Sequence, residues 1–372
     1  MIDKNISILI PDGEAPVLMI VLNCLSEVKG IKIHVMSDDN EIPMKHSKKV
    51  HKFSYYPKSD NEADFINNIN KEVEKHNIDL IMPIFEDAIR IILKNKDLIS
   101  SIDKLALLPS YNDFNTANNK GLLNKHLEAN NLPFPKTQMI DKGTSLDTKN
   151  VDYPVLVKPA EGIGGGSGIY VFREENALTE FLNSDKFDCT YLIQDYVEGY
   201  DIDCSVLCKH GEILAYTIQK PNMFANSKFA PQLAVDFIKD DILFEDVEKL
   251  MKTLNWSGVA HLDMRYDENS KEYKVIEVNP RFWGSVEASL FAGVNFPYLY
   301  AVASLNYDFD LPKYKFIKFM LLKGLVKSIK SDKSYLLKLK FIFKNTPIKY
   351  MLNDPKPTLY RFSRFFMRKI KS

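Results

Sequence analysis

The chain has 372 residues, 45% of them hydrophobic, and its 49 Lys and Arg balance 49 Asp and Glu. This length and apolar content exclude a disordered or fibrous protein and are sufficient for two or three folded domains. The zero net charge hides an asymmetry. Residues 311–372 hold 17 Lys and Arg against two Asp, so this tail carries about +15 and the remainder about −15. The body of the chain therefore gives no indication of nucleic-acid binding.

The cysteines and the N-terminal residues indicate a cytoplasmic protein. The N-terminus has no apolar signal core, and the apolar run at residues 17–22 is too short to span a bilayer. Four cysteines lack metal-ligand spacing and are interpreted as reduced thiols: Cys24, Cys189, Cys204 and Cys208. Peripheral attachment to a membrane is kept as an alternative that depends on the basic tail.

Residues 1–110 alternate between strand and helix patterns. Strands are predicted at 6–10, 31–36, 80–84 and 105–108, and helices at 15–25, 60–77 and from Asp87. This βαβ series predicts a parallel sheet. The turn after the first strand lacks a GxGxxG fingerprint, so a dinucleotide site is not supported. We expect Asp87 to cap its helix, with substrate contact as the alternative.

Residues 111–150 are predicted to form a helical linker. An amphipathic helix begins near Asn118, and Pro133 and Pro135 prevent its continuation. Lys120 lies in the first turn of this helix. On composition alone, Lys120 is interpreted as a solvated lysine.

A glycine-rich segment follows a short strand that ends at Lys158. Gly164, Gly165 and Gly166 lie between predicted strands at 153–158 and 168–172. Glycines at this density are entropically costly, but their backbone N–H groups can cradle phosphates and the loop can close over a ligand. No Gly-Lys-Ser/Thr follows, so this is not a Walker A loop. Lys158 then supplies a cation for a phosphate; the alternative is a long flexible hairpin.

A second segment is suited to binding a nucleoside. A strand at 191–193 runs into Gln194, whose side chain can accept a hydrogen bond from an exocyclic amine, and the backbone from Asp195 to Val197 can pair with an adenine ring. Asp201 can then accept from ribose hydroxyls. Further on, Lys220 precedes an irregular segment at 221–231 and is either a γ-phosphate ligand or a surface lysine.

The strongest chemical signal is a predicted hairpin at residues 259–279. Its turn is at 267–270, and this register places Asp263 across from Glu277, with Asn279 just beyond. Carboxylate and amide oxygens are hard ligands suited to Mg²⁺ that also holds phosphate oxygens. Arg281 adds a planar cation for the same phosphates. The alternative is a solvated hairpin with charges on its outer face.

Taken together, the order and spacing of these motifs resemble the ATP-grasp superfamily, which includes D-alanine–D-alanine ligase and the large subunit of carbamoyl-phosphate synthetase. The resemblance covers residues 1–305 and implies a combined α/β and α+β fold. The expected parts are a Rossmann-like domain (1–110), a helical linker (111–150), a small lid subdomain (151–205), a large subdomain with the metal ligands (206–310) and a basic helical tail (311–372).

The resemblance also implies a role for each matching residue. Lys120, Lys158 and the three glycines would bind the phosphates and the adenine side of ATP. Gln194, Asp195 and Val197 would bind adenine, and Asp201 ribose. Asp263, Glu277 and Asn279 would hold Mg²⁺, for which Mn²⁺ can substitute, and Arg281 would act at the transferred phosphoryl group. Lys220, proposed above from its place before the irregular segment, is the second candidate catalytic residue. Two positions depart from the commoner pattern, because Asp263 and Gln194 each stand where Glu is more frequent.

The segment Asn-Pro-Arg-Phe-Trp-Gly-Ser at 279–285 is most similar to ATP-grasp carboxylate–amine ligases. The resemblance implies an acyl-phosphate formed from ATP and a carboxylate, then attacked by an amine to give amide, ADP and phosphate. The alternatives are a non-catalytic ATP-binding regulatory protein and a kinase-like enzyme that stops at phosphoryl transfer. The expected partners are small-molecule substrates and no nucleic acid, and a homodimer is kept as an alternative to a monomer.

The basic tail alternates apolar and cationic residues. From Phe316 to Lys330 the pattern predicts a basic amphipathic helix of the kind that lies on anionic lipid. A second such cluster occurs at 360–369. The competing interpretation is that these helices pack on the acidic body and balance its charge.

Overall fold

The computed structural model describes residues 5–144, 146–160, 168–225 and 230–371. Its strands are β1 (Ile6–Ile10), β2 (Ile31–Ser37), β3 (Val50–Tyr55), β4 (Leu80–Ile81), β5 (Thr137–Ile140), β6 (Val155–Pro159), β7 (Tyr170–Phe172), β8 (Tyr191–Asp195), β9 (Gly199–Lys209), β10 (Glu212–Phe224), β11 (Gln232–Ile238), β12 (Gly258–Asp267), β13 (Tyr273–Asn279) and β14 (Lys318–Met320). The α-helices are α1 (Leu18–Leu25), α2 (Glu62–His76), α3 (Glu86–Lys94), α4 (Tyr111–Asn118), α5 (Lys120–Ala129), α6 (Glu175–Leu182), α7 (Asp241–Thr253), α8 (Val286–Ala292), α9 (Phe296–Ser304), α10 (Leu322–Ser331), α11 (Leu339–Asn345), α12 (Ile348–Asn353) and α13 (Lys356–Lys371).

The N-terminal sheet is parallel and has the order β3-β2-β1-β4. The βαβ pattern predicted this parallel sheet, but β3 was not predicted because its sequence, VHKFSY, contains no apolar run. The strand predicted at 105–108 is wrong, since Leu105 forms an isolated bridge to Ile81. Asp87 is not the cap of α3. Phe85 holds that position without a side-chain bond, and the Asp12 carboxylate accepts the N–H groups of Ile84 and Phe85.

The large sheet is antiparallel and has the order β13-β12-β9-β10-β11-β14. Alternate apolar residues of β9 and β12 lie on one face of this sheet, which packs on α7 and α5 around Trp256. Strand β10 continues through Phe224, so the prediction of an irregular segment from Pro221 is wrong for its first four residues. Register shifts next to Pro221 and Met223 let the strand accommodate the proline.

The small sheet has the order β5-β8-β6-β7 and packs on α6. It runs from Thr137 to Asp195, so it begins earlier than the lid expected at 151–205, and residues 199–205 belong to the large sheet instead. The two sheets are joined along the chain by residues 196–198, between β8 and β9, which are called the hinge below. Gly164, Gly165 and Gly166 lie outside the described residues.

The basic tail is not one continuous set of helices. Lys318–Met320 was expected to be helical but forms β14, which pairs with Ala234, Val235 and Asp236 of β11. Later parts of the tail contact the N-terminal domain. Lys349 Nζ lies 2.9 Å from Glu27 Oε1, Asp354 accepts from Ser47, and Arg364 pairs with Glu41. In the described ranges, no helix combines the length and apolarity needed to cross a membrane.

Candidate active site

The β12–β13 hairpin aligns the predicted metal ligands. Asp263 and Glu277 are direct partners in the antiparallel pair, as are His261 and Asn279, which confirms the predicted register. The intervening Leu262 and Val278 are buried against α7. Because successive side chains point to opposite faces, Asp263, Glu277 and Asn279 share the other face of the sheet.

A row of polar pairs crosses from β12 to β9 on that same face. The pairs in register are Ser205 with His261, Asp203 with Asp263, and Asp201 with Arg265. The residues between them are apolar and buried: Ile202, Cys204, Leu262 and Met264. The sequence interpretation missed Asp203 and Arg265, although the alternation Asp-Ile-Asp-Cys-Ser-Val at 201–206 carries the signal.

Asp203, His261 and Asp263 form a compact cluster in which one ligand atom from each lies within 4.8 Å of the others. His261 Nε2 lies 3.2 Å from Asp263 Oδ1 and 3.9 Å from Asp203 Oδ2. Asp203 is buried and accepts from Gln232 Nε2 at 2.6 Å and Gln219 Nε2 at 3.4 Å. Burial, and then the charge of Asp263, raise the pKa of the Asp203 carboxyl well above its usual range.

The His261 ring is held from two further sides. Its Nδ1 lies 2.9 Å from Ser205 Oγ, and its plane stacks on Trp283 with centroids 5.2 Å apart and an interplanar angle of 6°. Trp283 is buried in the core shared by the N-terminal domain, α8 and α9. His261 is therefore a fixed neighbour of Asp263, and its position depends on the contact between domains.

Arg281 links the hairpin to the N-terminal domain. Its Nε donates to Glu86 Oε1 at 2.6 Å, its Nη2 to Asn279 Oδ1 at 3.0 Å, and its Nη1 to the carbonyl of Phe282 at 2.9 Å. Asn279 Nδ2 in turn donates to Asp263 Oδ2 at 3.4 Å. In this arrangement the amide nitrogen of Asn279 faces Asp263 and its oxygen faces Arg281.

The two predicted lysines lie on different elements, and Lys120 contacts the hairpin directly. Lys120, at the start of α5, places Nζ 3.5 Å from Glu277 Oε2. Lys158, on β6, donates to Gln194 Oε1 at 3.2 Å. Burial first, and the charge of Lys120 second, lower the pKa of Lys158 from 10.5 to about 8, while Glu277 and Asp263 act in the opposite direction. A lysine near two carboxylates with a lowered pKa is common at functional sites.

Gln194 is oriented by both of its polar atoms. Besides accepting from Lys158, it donates from Nε2 to Thr137 Oγ1 at 2.8 Å. The amide oxygen has a second lone pair, so it can still accept from an adenine amine. Thr137 belongs to β5 and was not singled out in the sequence.

The hinge after Gln194 is tied to β12 by one arginine. Arg265 donates to the carbonyls of Val197 at 2.7 Å and Gly199 at 2.8 Å, and to the Asp201 carboxylate. The N–H of Asp195 is bonded to Lys136 O at 2.9 Å. The carbonyl of Val197, the N–H of Asp195 and the carboxylate of Asp201 thus already have protein partners.

Lys220 is not brought together with the other predicted residues. Gln219 faces Asp203, and Lys220, the next residue on β10, points to the opposite face, where its Nζ lies 3.3 Å from the centroid of the Tyr200 ring. The sequence interpretation ended the strand at Lys220 and therefore placed this lysine at the start of a loop. The strand instead continues to Phe224, and its alternation turns the Lys220 side chain away from the site.

The carboxylates of the hairpin fit a hard divalent cation, and Asn279 would join them if its amide turned its oxygen from Arg281 toward Asp263. Asp263, Glu277 and Asn279 project from adjoining positions of two paired strands, and Asp203 adds a buried carboxylate beside Asp263. Oxygen donors of this type suit Mg²⁺ and leave room for phosphate oxygens. The ammonium group of Lys120 beside Glu277 adds positive charge for a polyphosphate.

Comparison with known proteins identifies the central part of the chain. Residues 117–285 match the family model described as ATP-grasp domain. The D-alanine--D-alanine ligase of Anaplasma marginale (strain Florida) is 25% identical over 182 residues, which cover 45% of this chain and 54% of that protein. The chain thus spans about half the length of this curated relative.

Solved structures share the fold over most of the chain. The N5-carboxyaminoimidazole synthetase from Staphylococcus aureus, complexed with ADP, has a TM-score of 0.71 and 16% identity, covering 91% of this chain and 87% of that one. The L-amino acid ligase from Bacillus licheniformis has a TM-score of 0.62 and 18% identity, covering 82% and 74%. At these identities the comparison shows the fold.

Proposed function

Since residues 117–285 are an ATP-grasp domain, we propose that the chain is an ATP-dependent ligase that joins a carboxylate to an amine and releases ADP and phosphate. The observation that carries the proposal is the contact of Lys120 with the acidic hairpin, with a second buried lysine, Lys158, nearby. Lys120 lies 3.5 Å from Glu277, and Lys158 is close enough to the hairpin carboxylates for their charge to act on its pKa. This arrangement suits a polyphosphate held between the small and large sheets.

The proposed reaction has two steps. A carboxylate oxygen of the first substrate attacks the γ-phosphorus of ATP, and the bond from that phosphorus to the β,γ-bridging oxygen breaks, releasing ADP. The amine nitrogen of the second substrate then attacks the acyl carbon of the acyl-phosphate. The carbon–oxygen bond to phosphate breaks, and the proton lost by the amine passes to phosphate or solvent.

The protein's own residues would contribute position and charge. Lys120 and Lys158 would hold the phosphates, and Arg281, fixed by Glu86, would stabilise the charge on the transferred phosphoryl group. Asp263, Glu277 and Asn279 would hold Mg²⁺, which would supply positive charge against the negative charge of the phosphates. No side-chain nucleophile is required, so the rate depends on alignment and electrostatics.

Adenosine would lie along the hinge. Gln194 would accept a hydrogen bond from the exocyclic amine of adenine, the Asp195–Val197 segment would line the ring, and Asp201 would accept from ribose hydroxyls. The glycines at 164–166 would cover the phosphates and keep water from the acyl-phosphate. Lys220 would have to leave the Tyr200 ring to act at the γ-phosphate, so it stands apart from this set.

The test is phosphate and ADP release from Mg-ATP with pairs of amino acids and amino sugars, followed by mass analysis of the product. Asp263→Asn and Glu277→Gln should reduce turnover by more than about 100-fold, which exceeds the usual effect of changing a partner of a metal ligand. Their unfolding temperatures should stay close to that of the wild type. Undiminished turnover in both variants would refute the assignment of this hairpin.

The same screen separates the two alternatives. A kinase-like enzyme would release a stable phosphorylated product without any amine. A regulatory ATP-binding protein would show a higher melting temperature with Mg-ATP but no phosphate release with any pair.

A further inference from the structure

We propose that a patch on the basic tail, residues 333–344, binds the surface of an anionic lipid bilayer. This tail patch comprises a 3₁₀ helix, Lys333–Leu337, and α11. Its large apolar side chains are exposed: Leu337 by 84%, Leu339 by 61%, Leu336 by 54% and Phe343 by 49%. Large apolar residues clustered on a surface indicate an interaction site.

The fold presents two of these side chains on the same side of α11. Leu339 and Phe343 are one helical turn apart on α11 and therefore face the same side. An adjacent side of α11 is anchored by Ile342, which is buried with Ala234, Met320 and Leu325, and Phe341 packs against the same cluster. The tail patch is thus a formed surface of the protein.

The charge of the tail patch decides between its candidate occupants. Lys333, Lys338, Lys340 and Lys344 are exposed among the apolar residues, and the sequence has no Asp or Glu from Lys333 to Asn353. A second copy of the chain that docked through the same patch would bring two such lysine clusters together and be repelled. Anionic headgroups attract the ammonium groups, while the acyl region accepts the leucines and the phenylalanine.

The rest of the tail fastens the tail patch to the folded body. Lys327 Nζ donates to the carbonyls of Phe224 at 2.8 Å and Ala225 at 2.7 Å, which ties α10 to the end of β10. On the other side, Lys349 of α12 is paired with Glu27 of the N-terminal domain. Membrane binding through the tail patch would therefore orient the entire protein.

The test is co-sedimentation of the full chain with vesicles of equal parts phosphatidylglycerol and phosphatidylcholine, beside vesicles of phosphatidylcholine alone. We expect binding to the anionic vesicles that weakens with salt. The double variant Leu337→Ser/Leu339→Ser should weaken it by about 10-fold or more, as should Lys338→Glu/Lys340→Glu. Matched substitutions at exposed positions elsewhere, Ile242→Ser and Lys186→Glu, should leave it unchanged.

Three outcomes would overturn the proposal. The wild-type chain could remain in the supernatant with anionic vesicles, or the two tail-patch variants could bind them as well as the wild type. The third is self-association, measured by sedimentation velocity without lipid, that Leu337→Ser/Leu339→Ser abolishes while vesicles bind nothing. Unchanged melting temperatures would show that these variants of exposed residues fold.

Discussion

Arg281 and Glu86 form an ion pair between the segment that follows the β12–β13 hairpin and the N-terminal domain, with 2.6 Å between Nε and Oε1. The same guanidinium also reaches Asn279, so the N-terminal domain positions a group that faces the proposed phosphoryl-transfer site. The pair connects residues 195 positions apart in the chain.

Glu86→Gln should lower the turnover number for phosphate release by about 10-fold or more, with little effect on the KM for ATP. The reason is that the charge-assisted bond orienting Arg281, of a class that contributes about 1.5–3 kcal/mol, is weakened. Steady-state kinetics would measure this effect. Asp87→Asn removes the same charge at the next, exposed position and should be near neutral; equal losses in both variants would contradict a role for the ion pair.

Lys158 should make ATP binding sensitive to alkaline pH. Its pKa of about 8 means that its cation is lost as the pH rises through 8, so the Kd of Mg-ATP should increase there. In Lys158→Arg the guanidinium stays charged, and the Kd should be flat across this range. Calorimetric titrations at several pH values would measure both profiles, and parallel profiles would exclude Lys158 as the titrating group.

The stability of the unliganded protein should change in the same pH window. The unfolded chain keeps this lysine protonated to about pH 10.5, whereas the folded chain releases the proton above about 8. Between these values the unfolded state binds more protons, so the contribution of Lys158 to folding stability rises with pH. Urea unfolding of the wild type and Lys158→Met would isolate this contribution, which should be absent from the variant.

His261→Asn should raise the Mg²⁺ concentration needed for half-maximal activity by about 10- to 100-fold, the usual range for a residue that orients a metal ligand. His261 Nε2 lies 3.2 Å from Asp263 Oδ1, and the ring is fixed by Ser205 and Trp283. Mg²⁺ titrations of phosphate release would measure the shift.

The matched control is His126→Asn, which removes a ring bonded to Thr253 outside the site. A purely structural role for His261 would lower the melting temperature and the turnover number without moving the Mg²⁺ requirement. That result would exclude it as a positioning residue.

Arg265→Lys should raise the KM for ATP about 10-fold. The lysine cannot reproduce the fork that contacts Asp201 and the carbonyls of Val197 and Gly199 together, so the hinge and the proposed ribose ligand lose their common support. Arg173→Lys is the control, because Arg173 is exposed beside the same hinge, where it lies 3.9 Å from Glu198 and 5.9 Å from the centroid of the Tyr196 ring. Unchanged ATP kinetics in Arg265→Lys would argue against hinge positioning.

Local patterns in the sequence predicted the parts of the site that lie on one hairpin. The pairing of Asp263 with Glu277 followed from alternation and a polar turn, both properties of adjacent residues. Contacts between distant segments had no such signal. The contact of Glu86 with Arg281 and the stacking of Trp283 on His261 could not be predicted, because the packing of separate segments brings each pair together.

Short or irregular strands explain most of the errors in the fold. Three-residue β14 gives too few positions to show a period of two, so its residues were assigned to a helix. The proline at 221 suggested a strand end, and Lys220 was then expected at the site, whereas β10 continues and turns Lys220 to the opposite face. Strand β11 was missed because it directly follows residues 221–231, which were interpreted as irregular.

Strand β14 makes the C-terminal region part of the six-stranded sheet. It completes the edge of the six-stranded sheet by covering Ala234, Val235 and Asp236 of β11. A fragment trimmed before Lys318 would leave those backbone groups bare, and an uncovered strand edge recruits other chains. Such a fragment should aggregate on purification, so the shortest well-behaved form of this protein extends past Met320.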